Sequence, residues 1–118
     1  MKSWREQTLI PVHIVRYEDM QQNPIPIFGA VITFLELEYD EERLEKAIMN
    51  SDFKLLQQME QENGFKEKPQ KSKNFFWKGK IGNYREHLSE EQVKRIVDYN
   101  YDTMKEFGYI DEQGMLTV

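Results

Sequence analysis

Cysteine is absent from the 118 residues, which excludes a disulfide framework and a cysteine-based metal site. Histidine is scarce: only His13 and His87 occur, and neither has carboxylate or cysteine neighbours at ligand spacing. No zinc centre and no histidine-activated nucleophile is therefore read here, and no metal or catalytic residue is assigned. No Gly-rich phosphate loop followed by a helix is present. No apolar stretch approaches membrane-spanning length, and the opening Met1-Lys2-Ser3-Trp4-Arg5-Glu6 lacks the apolar run of a signal peptide. The expectation is a cytoplasmic protein with no membrane partner. Internal repeats and low-complexity segments are also missing.

What remains is an ordinary globular composition, 31% charged and 39% hydrophobic. The length allows one domain, 1–118, with a modest core. The net charge of −5 is unevenly spread. Lys66, Lys68, Lys71, Lys73, Lys78, Lys80 and Arg85 face only one acid, Glu67, between residues 66 and 85. A basic strip on an acidic body points to a local anion site and not to a nucleic-acid surface. Within it, residues 65–74 read as a flexible, solvated loop, since they carry like charges and little apolar anchorage.

Along the chain, Val12-His13-Ile14-Val15-Arg16-Tyr17 is the one apolar, β-branched run, and it predicts a strand of a buried parallel sheet. Pro24 and Pro26 break the chain, and Pro26 is suited to the first turn of a helix over Ile27–Glu36. Asp40 reads as the N-cap of a helix with Glu41 and Glu42 in its first turn and Leu44, Ala47 and Ile48 on its apolar face. Ser51 reads as the cap of another helix, with Phe53, Leu56 and Met59 on one face and Asn63-Gly64 as its stop. Ser89-Glu90-Glu91-Gln92 is a capping box opening a helix whose predicted buried stripe is Val93, Ile96, Val97, Tyr101, Met104 and Phe107. Gly108 ends that helix, and a turn follows around Gln113-Gly114.

The sum is a mainly α chain with one strand. A lone strand cannot satisfy its own backbone N–H and C=O groups, so 12–17 needs a partner. A second copy would supply one in a homodimer, by pairing these strands antiparallel or by exchanging helices to cover them. A missing N-terminal half would supply another.

The chemistry concentrates in Phe75-Phe76-Trp77-Lys78-Gly79-Lys80-Ile81-Gly82-Asn83-Tyr84-Arg85. Two glycines, which let backbone N–H groups approach a ligand closely, stand in a basic, aromatic loop of a kind that suits phosphate. This stretch resembles the C-terminal loop R-K-G-x-x-G-[D/N]-[W/Y]-[K/R] of sulfotransferases that use 3′-phosphoadenosine-5′-phosphosulfate (PAPS). Lys78, Gly79, Gly82, Asn83, Tyr84 and Arg85 match, whereas Trp77 stands where the family has arginine. Phe75-Phe76, Arg16-Tyr17-Glu18-Asp19-Met20 and His87-Leu88-Ser89-Glu90-Glu91-Gln92 extend the resemblance over nearly the whole chain. It corresponds to the last part of a family member.

The resemblance implies the C-terminal fragment of an α/β P-loop-type fold with a parallel sheet. It also implies the adenosine and 3′-phosphate side of a donor site. Tyr17 resembles a tyrosine near the adenine, Ser51 and Phe53 a segment contacting the base, and Trp77, Lys78 and Gly79 the 3′-phosphate loop. An aromatic face stacks on a base, and preorganised N–H groups bind an anion. Core packing is the competing role for Tyr17 and Phe53. Tryptophan offers one N–H and no charge where arginine would make paired charge-assisted bonds. Binding of PAPS or adenosine 3′,5′-bisphosphate is thus expected to be weak or absent, unless Arg85 or Lys80 compensates. The family's 5′-phosphosulfate loop, with its catalytic lysine, and its catalytic base are not found among these residues. Two functions stay open: a sulfotransferase C-terminal region inactive by itself, and a non-catalytic helical protein–protein interaction module using its exposed strand.

Overall fold

In the computed structural model, residues 2–118 are described, and helix dominates them. The elements are α1 (Lys2–Glu6), α2 (Tyr17–Gln22), α3 (Pro24–Phe34), α4 (Glu41–Asn50), α5 (Phe53–Asn63), a 3₁₀ turn (Asn83–Glu86) and α6 (Glu90–Glu106). The backbone divides into two units, Met1–Val12 with Lys80–Val118, and His13–Gly79.

Within His13–Gly79, the segment expected to be a strand forms none. Residues 13–16 carry no regular structure and Tyr17 opens α2. The reason is the one that made the strand incomplete on paper: no ladder partner exists among the described residues, so β-branched propensity alone does not produce a strand. Glu18 and Asp19 sit in the first turn of α2, where they complement the helix dipole, and the Met20 N–H reaches the Arg16 carbonyl at 3.1 Å. An acidic pair just after an apolar run is a helix-start signal that outweighs the run here.

α3 begins at Pro24, two residues before the expected Pro26, because a proline at the first helical position gives up an N–H that has no intrahelical acceptor anyway. The helix packs on both α2 and α4. Gly29 is buried on it, beneath the Tyr39 ring, where an added Cβ would stand 3.1 Å from Tyr39 Cε2. α3 ends in a Schellman arrangement: Glu36 N–H donates to Thr33 O at 3.0 Å and Leu37 N–H to Ile32 O at 3.1 Å. That leaves Glu36 at φ 57°, in the left-handed region.

α4 is capped as expected, Asp40 accepting from Arg43 N–H at 3.2 Å, and Leu44 on its inner face is 8% exposed. The cap of α5 is Asp52 and not Ser51: its carboxylate accepts from Lys54 N–H at 3.0 Å and Leu55 N–H at 3.3 Å. Ser51 instead closes α4, its N–H reaching Ala47 O at 3.1 Å.

In the other unit, Ser89 and Gln92 form the expected capping box. α6 bends at Asn100, whose side-chain amide donates to Ile96 O at 2.9 Å while its own backbone leaves helical geometry (φ −110°, ψ 17°). The stripe expected to be buried is only half-buried, with Ile96 46% exposed. Gly108 ends α6 in the same Schellman arrangement that ends α3, with Gly108 N–H to Lys105 O at 3.1 Å and Tyr109 N–H to Met104 O at 2.8 Å. Arg5 of α1 pairs with Glu106 at the end of α6.

Leu44 in one unit and Ile110 in the other are the buried hydrophobic residues among those described. Large apolar side chains such as Leu9, Tyr99 and Met49 stay 93%, 90% and 73% exposed. Little apolar area leaves water in either unit, so each has a thin core.

Candidate functional site

The site is built in His13–Gly79 by one face of α5. Phe53, Gln57 and Glu60 are spaced i, i+4 and i+7, which stacks them along one side of the helix. The chain from Phe75 to Gly79 runs back along that side. Glu60 takes its first contact: Oε1 accepts from Phe75 N–H at 2.6 Å and Oε2 from Phe76 N–H at 3.0 Å. One turn back, Gln57 Nε2 donates to Phe76 O at 3.0 Å and to Trp77 O at 2.9 Å. At the start of the helix, the Phe53 ring meets Gly79. A Cβ on Gly79 would stand 2.6 Å from Phe53 Cδ2, inside any real contact.

The charge on Glu60 is tied to this arrangement. The hydrogen bond from Phe75 N–H holds its carboxyl below the ordinary glutamate range, aided by the Phe76 N–H and the nearby Lys68 and opposed by partial burial. Rings fill the space beside these bonds. Phe65 lies 4.6 Å from Phe75 and 5.1 Å from Phe76 between centroids, and Phe53 lies edge-on to Phe76 at 6.0 Å. The loop 65–74 is thereby pinned at both ends, by Phe65 and Phe75.

Trp77 is 59% exposed, and the Lys78 ammonium sits over its ring, 5.2 Å from the centroid. Tryptophan in the arginine position thus brings no charge but orients the lysine beside it, a contact that contributes about 0.5–1 kcal/mol at an exposed position. Gly79 has φ 58°, a conformation glycine adopts without penalty.

The candidate residues from the sequence are therefore partly united. Phe53 touches Gly79, and Lys78 is joined to Trp77. Ser51 lies at the α4 end, two residues before Phe53. Tyr17 begins α2 with its side chain 38% exposed, and no hydrogen bond or ring contact among the described residues joins it to the others. Gln57 and Glu60 were missed. Their signal was present as the spacing Phe53, Gln57, Glu60, but nothing local shows what a polar stripe on a helix will hold. His13 stacks on Phe34 at 5.2 Å, a packing role. The second half of the loop belongs to the other unit, where Gly82 (φ 74°) precedes the 3₁₀ turn and Tyr84 and Arg85 both donate to the main-chain oxygen of Val118. Arg85, one of the two proposed substitutes for the missing arginine, is thus engaged within its own unit.

No described helix is long and apolar enough to cross a membrane, and no group of three or more His, Cys, Asp or Glu among the described residues could hold a metal ion.

Comparison with known proteins gives the class. The chain matches the sulfotransferase domain family over residues 1–108 and belongs to that family. Among curated proteins it is similar to "Cytosolic sulfotransferase 16" of Arabidopsis thaliana, 26% identical across 85% of this chain and 32% of that protein. It is also similar to "Cytosolic sulfotransferase 17" of the same plant, 24% identical across 94% of this chain and 36% of that protein. The chain spans about a third of the length of these relatives. No solved structure matches it.

Proposed function

We propose that this chain forms the adenosine and 3′-phosphate side of a sulfotransferase donor site and performs no transfer alone. The observation that carries this reading is the contact of Phe53 with Gly79. A nucleotide presents its base and its 3′-phosphate on one ribose, so the residues that read them must be neighbours. The aromatic of the base segment and the glycine of the phosphate loop are neighbours, with the Lys78 charge next in the chain. Family membership over most of the chain supports the same reading.

In PAPS the chemistry lies at the other end, where a sulfuryl group passes to a hydroxyl or amine acceptor. This chain's part is binding: Phe53 offers a ring, Gly79 a close-approaching backbone, and Lys78 a cation oriented by Trp77. Tyr17 and Ser51 complete the proposed base-side set. The lysine of the 5′-phosphosulfate loop and the base that takes the acceptor proton would come from the part of the sulfotransferase domain that this chain does not cover. That complete domain is the α/β P-loop-type fold, in which residues 12–17 would gain a parallel neighbour and become a strand. A cytoplasmic location follows the printed names of the relatives. In isolation we propose that the same segment pairs across a homodimer.

Titration with adenosine 3′,5′-bisphosphate tests the reading. Calorimetric heat together with amide shifts at Lys78–Tyr84, both reduced by Lys78→Ala, is the expected outcome. A flat titration would leave the interaction-module reading in its place. Purified chain given PAPS and a hydroxyl or amine acceptor is expected to release no sulfated product.

A further inference from the structure

The family match stops at residue 108, yet the ten residues beyond it fold into a turn with its two arms paired. Asp111 organises a tight turn, its Oδ1 accepting from Gln113 N–H at 2.9 Å and Met115 N–H at 2.8 Å. Ile110 and Leu116 pair as an antiparallel bridge, and Ile110 is only 2% exposed. Thr117 fastens the returning arm twice, N–H to Tyr109 O at 3.0 Å and Oγ1 to Gly108 O at 2.6 Å. This arm delivers the main-chain oxygen of Val118 to the last two residues of the loop motif. Arg85 Nη2 donates to it at 2.6 Å and the Tyr84 hydroxyl at 2.7 Å. Arg85 Nε also reaches the Tyr84 hydroxyl at 3.4 Å, with the guanidinium carbon 5.8 Å from the Tyr84 ring centroid.

We infer that residues 109–118 act as an autoinhibitory strap: the Val118 oxygen takes the Tyr84 hydroxyl and one N–H of the exposed Arg85 guanidinium, competing for both with a phosphate-class anion that release of the strap would admit. Three observations carry this. One oxygen takes both donors, so a single displacement frees the pair. The strap is held by its own turn and by buried Ile110, so it stays folded without help from Arg85. And a guanidinium bonded to one oxygen matches a phosphate better than its present partner, because two parallel charge-assisted bonds replace one. The inference is independent of whether nucleotide binds at Lys78 and Gly79.

The test is titration with inorganic phosphate, followed on the Arg85 Nε–Hε resonance. Three proteins are compared: the full chain, a chain ending at Leu116, and Thr117→Val, which keeps the whole tail and both donors but removes the Oγ1 bond to Gly108 that fastens the arm. The Arg85 signal of the full chain is expected to shift only weakly. In the chain ending at Leu116 it should shift saturably with an apparent affinity about tenfold higher, the equivalent of one charge-assisted bond released from competition. Thr117→Val should fall between the two. Identical titrations in all three, or an Arg85 signal that stays silent once the strap is cut, would overturn the inference. Should the shortened chain fail to fold, the comparison of Thr117→Val with the full chain decides, an unchanged titration counting against the strap.

Discussion

The Phe53 ring fills the space that a side chain on Gly79 would need: a Cβ there would come within 2.6 Å of Cδ2 and 2.7 Å of Cε2. Gly79→Ala should therefore destabilise the His13–Gly79 unit by about 2–4 kcal/mol, combining the left-handed backbone penalty with overpacking. In Phe53→Ala the clash disappears but the backbone penalty remains. The double variant should thus lose less than the sum of the singles, a coupling measurable by denaturant unfolding. Strict additivity would mean that ring and glycine are apart in solution.

Glu60 makes the clamp on Phe75 and Phe76 depend on pH. Its carboxyl is held below the ordinary range in the folded chain, so its stabilisation is full above the unfolded value of about 4.3 and fades as pH falls through the lower folded value. Glu60→Gln should lower the melting temperature at pH 7, and the difference from the parent should shrink toward zero in strong acid. Hydrogen exchange reads the same clamp. Amides of Phe75 and Phe76 should exchange slowly and those of Lys66, Glu67, Gln70 and Lys71 quickly, since between its ends the proposed flexible loop is tied by local turn bonds such as Lys68 N–H to Phe65 O and Ser72 N–H to Pro69 O, which engage other amides. Protection spread evenly over 65–76 would contradict this.

Two adjacent residues separate a sequence expectation from the structure. Asp52→Ala should cost about 1 kcal/mol, because the Asp52 carboxylate holds two orphan N–H groups of α5. Ser51→Ala should cost only a few tenths, since it is the Ser51 backbone that closes α4. Equal losses in thermal unfolding would place the cap at Ser51 after all.

Glu36 and Gly108 occupy the same position in two Schellman turns, at φ 57° and φ 72°. The penalty that glycine avoids at 108 is borne by glutamate at 36. Glu36→Gly should raise stability by up to about 1 kcal/mol, net of the extra chain entropy glycine brings to the unfolded state. A lower melting temperature would show that the Glu36 side chain makes a contact worth more than the strain.

The proposed homodimer rests on residues 12–17, apolar in sequence and without a ladder partner among the described residues. Sedimentation should show dimer at high concentration, and Ile14→Pro should return it to monomer by removing a ladder donor and bending the segment. A parent that stays monomeric at every concentration would refute pairing through this segment.

Helix ends were mostly legible in the sequence because their deciding bonds span only a few residues, the α5 cap at Asp52, one residue past the expected Ser51, being an exception. Asp40 with Arg43, the Ser89–Gln92 box, and the glycine at 108 all follow from side chains and backbone groups that are neighbours in any conformation. The loop glycines and the basic strip were legible for the same reason, and with them the family. What only the tertiary structure decided lies at longer range. Whether 12–17 becomes a strand depends on a neighbour that local propensity cannot supply, and without one Tyr17 starts a helix. That Gln57 and Glu60 hold the loop, that Phe53 seats Gly79, and that Val118 occupies Arg85 depend on separations of 15 to 33 residues. Local bonds form against little chain entropy and so leave their mark in short motifs. Distant ones must first bring the chain back on itself, and a polar side chain on a helix face looks the same before and after its partner arrives.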